Sequence, residues 1–325
     1  MTPRIASLFE QVSRHGEMMA ERPRLQFVPS RLTLGAVQIG LPYGIANKAG
    51  LPTDLEAQAI LDEALTAGIT TFDTARAYGA SEARIGRWRA SREGRDIRIV
   101  TKFPKIADVS EADAVAFVQE SIECSRGALG MDNLDLVLAH NAADLLHPGV
   151  ARALVDAQRR GHVRAIGASC YEPAEALLIL KRLSVAALQI PMSLCDQRFA
   201  VAGVNEAAAE QGVTLFIRTV FLQGALLLST SDLPAHLTPL AGPLARLDAL
   251  AGELGRSRSE LLLCAVRDRA AHASLLVGVE RPEQLAVHVA AVSALALPDA
   301  ASKEAFACFA NLPASVSDPR QWPRN

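Results

Sequence analysis

From residue 32 onward, the chain alternates short runs rich in β-branched and other apolar residues with longer stretches whose apolar residues recur at three- and four-residue spacing. The short runs fall at about 32–37, 69–73, 98–102, 134–140, 163–169, 185–190, 214–218 and 274–278. Between them lie amphipathic segments such as 54–67, 112–129, 149–158, 173–182 and 258–269. Strand followed by helix, repeated, is the signature of a parallel α/β fold. Eight repeats favour a closed (β/α)8 TIM barrel over an open doubly wound sheet. Punctuation agrees with that parse: Thr53-Asp54-Leu55-Glu56 reads as a helix cap with acidic residues in the first turn, and Gly68, Gly130 and Gly212 stand where a helix should release the chain. No GxGxxG glycine fingerprint follows any of the runs, which disfavours a Rossmann domain.

The expected organisation is a short N-terminal extension over 1–30, one barrel over 31–312 and an irregular C-terminal tail over 313–325. Within the extension, residues 5–20 suit one amphipathic helix, and Arg22-Pro23-Arg24 with Val28-Pro29 suits a linker. The tail carries three prolines. A net charge of -2, from 33 basic and 35 acidic residues without a long like-signed run, removes the footprint of a nucleic-acid binder. No apolar core of signal-peptide length opens the chain, and no stretch reaches the roughly 18 apolar residues that span a bilayer. A cytoplasmic protein without membrane or nucleic-acid partners is expected, with a homo-oligomer left open. The five scattered cysteines form no CxxC pair, so neither a disulfide framework nor a metal cage is expected.

Four polar residues stand at the ends of three successive strand candidates. Asp73 and Tyr78 fall in Phe72-Asp73-Thr74-Ala75-Arg76-Ala77-Tyr78-Gly79, Lys102 ends the run at 98–102, and His140 ends the run at 134–140. In a closed parallel barrel the carboxyl ends of all strands meet on one face, so these four become neighbours. Their order and spacing resemble the catalytic tetrad of the aldo-keto reductases. Further stretches fall in that family's order: Leu34-Gly35-Ala36-Val37-Gln38-Ile39-Gly40, Val100-Thr101-Lys102, Ile166-Gly167-Ala168-Ser169, Gln189, Phe221-Leu222-Gln223-Gly224-Ala225-Leu226-Leu227, and the segment from Gly278 through Leu285. The wording around Gly40–Lys48 and Arg218–Gly224 is similar to a bacterial branch linked to sugar and surface-polysaccharide metabolism.

The resemblance implies an NAD(P)H-dependent oxidoreductase that reduces an aldehyde or ketone to an alcohol by hydride transfer. Negative charge grows on the carbonyl oxygen in such a step, so a positioned acid must deliver a proton. Tyr78 is the expected donor, with Lys102 easing loss of its proton, Asp73 holding the lysine, and His140 hydrogen-bonding the carbonyl oxygen. The family further implies Ser169 and Gln189 on the nicotinamide carboxamide. Arg218, Phe221, Gln223 and Gly224 would lie along the pyrophosphate, and Gly278, Glu280, Arg281 and Gln284 near the adenosine and any ribose phosphate. NADP(H) is the expected cofactor, with NAD(H) left open, and a small-molecule carbonyl the expected substrate. Where the family often has Asn, this chain has Cys170; where many members stack an aromatic ring on the nicotinamide, it has Arg218, whose guanidinium suits either stacking or phosphate binding. Tyr43, Asn47 and Asn141 are candidates for the substrate mouth. Two other readings compete: a cofactor-sensing protein without turnover on the same barrel, and an isomerase or lyase using Lys102 as a Schiff-base nucleophile.

Overall fold

A computed structural model describes residues 24–92 and 94–323; the expected helix over 5–20 lies outside them. Eight strands form one closed barrel in sequence order. They are β1 (Leu32–Gly35), β2 (Thr71–Asp73), β3 (Arg98–Phe103), β4 (Leu136–Ala139), β5 (Ile166–Ser169), β6 (Ala187–Pro191), β7 (Thr214–Arg218) and β8 (Ser274–Val277). Every neighbouring pair is parallel, and the ring closes where Leu32 and Thr33 of β1 pair with Leu275 and Leu276 of β8. All eight expected strands are present. Most are trimmed by a residue or more, and the fifth begins three residues later than expected because only an isolated bridge, Leu134 to Val163, joins the chain before Ile166.

The helices α1 (Asp54–Thr66), α2 (Ser81–Ala90), α3 (Glu111–Leu129), α4 (Pro148–Arg159) and α5 (Pro173–Arg182) follow the first five strands. The one-turn α6 (Arg198–Val201) and α7 (Val204–Glu210) follow β6, and α8 (Ala241–Glu253) and α9 (Arg258–Arg269) follow β7. After β8 come α10 (Glu283–Ser293), α11 (Asp299–Ala307) and α12 (Ala314–Ser317). Thr53 caps α1 in a full capping box with Glu56, and Gly130 ends α3 in a left-handed conformation, as residues that satisfy orphaned end groups should.

Burial divides into two layers. Outward-facing strand residues such as Phe72 join the inner stripes of the helices in one continuous core, where Phe72 and Trp88 stack at 5.1 Å. A smaller cluster of Val100, Leu136, Leu138, Ala165, Ala187 and Phe216 fills the barrel. Because side chains alternate across a strand, the residue two places beyond an interior position also points inward. Lys102, His140, Gln189 and Arg218 stand in that relation to Val100, Leu138, Ala187 and Phe216.

The tail over 313–325 is more ordered than its prolines suggested. It contains α12 and a 3-10 turn, Pro319–Gln321. Val316 is buried, Trp322 donates Nε1–H to the Val316 carbonyl, and Arg320 pairs with Asp318 and Glu172.

Candidate active site

Asp73 closes β2, and Tyr78 follows in a tight turn, its amide donating to Ala75 and its carbonyl accepting from Ser81. That turn is tied down from several sides. Ser81 Oγ accepts from Thr74 and donates to the Ala36 carbonyl, while the buried Glu82 carboxylate takes Arg76 at 3.0 Å and Thr101 at 2.7 Å. The backbone of Gly40 lies so close that a Cβ there would come within 1.9 Å of the Tyr78 carbonyl oxygen. Glycine is required because no side chain fits between the two loops.

Lys102 is fully buried and donates to Asp73 Oδ1 at 2.6 Å and to the Thr74 carbonyl at 2.9 Å. Its Nζ stands 3.5 Å from the Tyr78 hydroxyl. Gln189 donates to the second Asp73 oxygen at 2.8 Å. The rings of Tyr78 and His140 meet edge to face at 5.8 Å. Thus the four residues expected to converge do so, with Lys102 behind the phenol and His140 beside it.

Burial pushes the Asp73 carboxyl up and the Lys102 ammonium down, and each charge pulls the other back. Burial likewise raises the Tyr78 phenol, Asp73 raises it further, and Arg218 opposes both. In the resting site burial is the largest influence on the phenol, and the Lys102 ammonium, 3.5 Å away, is hydrogen-bonded to Asp73. His140 is held down to about 4, first by burial and then by the Lys102 and Arg218 cations, so its imidazole is neutral near neutral pH.

Tyr78, Asp73 and His140 open onto a cleft of about 520 Å³ at the carboxyl ends of the strands, within the range of ligand pockets. Every residue expected to contact a cofactor lines it: Ser169, Gln189, Arg218, Phe221, Gln223, Gly224, Gly278, Glu280, Arg281 and Gln284. Lys102 does not reach the cleft surface. Asn47 and Asn141 also stay out of it; Asn47 bonds the backbone of its own loop at Tyr43, Ala49 and Gly50, and Asn141 donates to Asp144. Cys170 is buried, and its backbone is what bonds: its amide donates to the Gln189 carbonyl and its carbonyl accepts from Arg218.

A model of the aldo/keto reductase family matches residues 31–307. The chain belongs to that family. Among curated relatives, aldo-keto reductase str7 of Strobilurus tenacellus is 32% identical over 190 residues, 57% of this chain and 54% of that protein. The 6-dehydroglucose reductase of Agrobacterium fabrum is 33% identical over 153 residues, 42% of this chain and 52% of the relative. These matches span about half the length of the curated relatives. Among solved structures, aldo-keto reductase AKR11C1 from Bacillus halodurans superposes with a TM-score of 0.70 at 21% identity, covering 93% of this chain and 99% of its own. The glycerol dehydrogenase AKR11B4 from Gluconobacter oxydans does so with a TM-score of 0.70 at 21% identity, covering 94% and 98%. Both share the fold.

The cleft of this family member presents buried polar groups that a bound ligand could satisfy. Gln38 Oε1 and His288 Nδ1 are buried without a hydrogen-bond partner, and both residues line the cleft. A buried orphan acceptor is costly unless something satisfies it. Gly278 lets the Gln38 amide lie flat on the backbone, since a Cβ there would fall 2.2 Å from that amide. His288 packs on Phe221 with ring centroids 5.0 Å apart. Gln284 Oε1 accepts from the amides of Glu280 and Arg281, fixing the loop after β8. After β7, Thr219, Leu222 and Gln223 all adopt positive φ, a conformation that costs non-glycine residues energy and clusters at ligand sites. Gln223 then accepts at its carbonyl from Ile45, joining the β7 loop to the β1 loop along the cleft.

Sequence reasoning did not single out Gln38, Tyr171 or Glu82. Gln38 lay inside a quoted motif, and Tyr171 two residues past Ser169 was a legible aromatic at a strand end. Glu82 carried no signal, because its partners Arg76 and Thr101 become neighbours only through the fold.

Proposed function

We propose that this chain reduces an aldehyde or ketone to the alcohol with NAD(P)H, and that Tyr78 hands the proton to the carbonyl oxygen. A bound nicotinamide supplies the hydride. The observation that carries this reading is the placement of the Tyr78 hydroxyl at the cleft surface with the Lys102 ammonium 3.5 Å behind it and His140 beside it. Neutral His140 offers a ring N–H to the substrate oxygen, and that donor aims where charge develops. As alkoxide character grows, the Arg218 cation favours transfer of the phenolic proton and Lys102 stands 3.5 Å behind the hydroxyl, whereas in the resting site burial keeps that proton on Tyr78. Asp73 holds Lys102 in place and charged.

Ser169 stands at the end of β5 and Gln189 in β6 beside it, where Ser169 pairs with Gln189 in register, and their polar groups suit a carboxamide. Gln189 gives one N–H of Nε2 to Asp73, which leaves its oxygen and its second N–H for the cofactor. Arg281, on the β8 loop, lines the cleft and is the cation proposed for the ribose phosphate of NADP(H), the proposed cofactor. The neighbouring Glu280 carboxyl is raised by burial and lowered by Arg281 itself, and its charge opposes a phosphate there.

The test is Tyr78→Phe. Reduction of an aldehyde panel is expected to fall about 100- to 10,000-fold, with affinity for NADPH nearly unchanged. Equal turnover in the variant would refute the assignment of the donor. Tight cofactor binding by the unaltered protein with no turnover on any carbonyl would favour the sensor.

A further inference from the structure

Resting on the carbonyl-reductase reading, we infer that the substrate is an anionic carbonyl compound whose carboxylate or phosphate is held by Arg218. Arg218 ends β7 and lines two cavities at once: the cleft that Tyr78 and His140 share, and an adjoining one of about 250 Å³ roofed by Ser317, Asp318 and Arg320 of the tail. Its guanidinium lies over Tyr171, with the carbon 4.3 Å from the ring centroid. That contact, with hydrogen bonds to Thr219 and the Cys170 carbonyl, holds the group at the junction of the cavities.

Of the five N–H donors of an arginine, two are engaged inside the protein. One goes to Thr219 Oγ1 at 3.3 Å and one to the Cys170 carbonyl at 3.1 Å. The Nε–H is buried with no partner. The nearby carboxylates are spoken for elsewhere: Asp196 holds Arg198 through both oxygens, Asp318 holds Arg320, and Glu172 takes Arg198 on one oxygen and Arg320 on the other. Asp73 holds Lys102 and accepts from Gln189. No ion pair to Arg218 occurs among the described residues. A cation with a buried, unspent donor and no carboxylate partner, held between the proton donor and a side cavity, is built for a planar or multi-oxygen anion. A neutral hydroxyl would satisfy one donor and leave the charge uncompensated.

The side cavity gives the direction. It extends from Arg218 past Tyr43 and Tyr171, so the anionic group sits on the tail side while the carbonyl faces Tyr78. This assigns Arg218 to the substrate and not to stacking on the nicotinamide, one of the two uses its chemistry allows.

The experiment compares matched pairs: succinic semialdehyde against butanal, and glyceraldehyde phosphate against glyceraldehyde, in the unaltered protein, Arg218→Met and Arg218→Lys. The unaltered protein is expected to favour the charged member of at least one pair by tenfold or more in kcat/KM, and the pair that shows it tells carboxylate from phosphate. In Arg218→Met that ratio is expected to collapse toward one, chiefly through KM, and Arg218→Lys should recover part of it. Turnover without a charge preference, or a ratio unchanged in Arg218→Met beside a tenfold weaker dinucleotide affinity, would overturn the inference and return Arg218 to the cofactor. Calorimetric titration of succinate and of inorganic phosphate into protein saturated with NADP+ reads the same subsite without turnover. Binding of one anion that Arg218→Met abolishes supports the inference even if no aldehyde is reduced, which would count against the proposed activity alone. No binding of either anion refutes it.

Discussion

Lys102 and Asp73 show why the obvious substitution is a poor probe. Both are buried and bonded to each other. Removing the lysine alone strands a carboxylate in the protein interior, a loss of about 3–5 kcal/mol for a broken buried pair. Lys102→Met therefore confounds stability with chemistry, whereas Tyr78→Phe deletes one hydroxyl at the cleft surface. The two buried imidazoles make a further prediction. Burial holds both His140 and His288 at about 4 against an ordinary 6.5, so across that window the unfolded chain binds protons that the native chain refuses. Stability is then expected to fall as pH drops from about 6.5 toward 4. A double variant, His140→Gln with His288→Gln, should lose less of its urea midpoint between about pH 7 and about pH 5 than the unaltered protein does. An equal or steeper loss would show that neither ring is held neutral.

At the scale of elements, the strands were legible as short apolar runs set between stretches of helical period, and a polar residue near the end of a run falls at the carboxyl face. The convergence of Asp73, Lys102 and His140 follows from closure of the ring, and the turn after β2 brings Tyr78 to them. Loop contacts were not legible. Asn47 and Asn141 read as substrate-facing polar residues, yet short-range bonding to their own loops captures them, as asparagine in turns commonly does. The tail read as irregular, but an ion-pair cluster through Arg320 and the buried Val316 hold it on the barrel. The Gly40 crossing yields a prediction at this scale. Gly40→Ala should push the Tyr78 turn away and lower kcat about a hundredfold, the penalty of misplacing a reacting group by about 1 Å. Gly252→Ala is the control: it lies near the end of α8 with nothing within 4 Å of a new Cβ, so it should leave kcat alone. Normal turnover in Gly40→Ala would remove the argument for that crossing.

For the molecule as a whole, the barrel class was written in the eightfold repeat, while the depth and shape of the cleft arise from contacts between distant loops such as Ile45 with Gln223, which no local pattern encodes. Occupancy of that cleft is coupled to global stability. A dinucleotide at about 100 times its Kd is expected to stabilise the native state by about 2.7 kcal/mol, a rise in Tm of several degrees for a domain of this size. NADP+ should give the larger shift at equal concentration, and Arg281→Ala should erase the difference. A larger shift with NAD+ would reverse the proposed cofactor preference.

The β1 to β8 seam has a consequence for biosynthesis. Its two strands are separated by almost the whole length of the barrel sequence, with Leu32 meeting Leu275, so a growing polypeptide carries an unzipped sheet with two raw edges until its eighth strand has left the ribosome. Such edges template pairing with other chains, and long-range closure of this kind is slow. Nascent copies would therefore depend on chaperone cover during translation, and a frameshift or stop just before residue 274 would leave an open sheet prone to aggregate, even with Asp73, Tyr78, Lys102 and His140 all present.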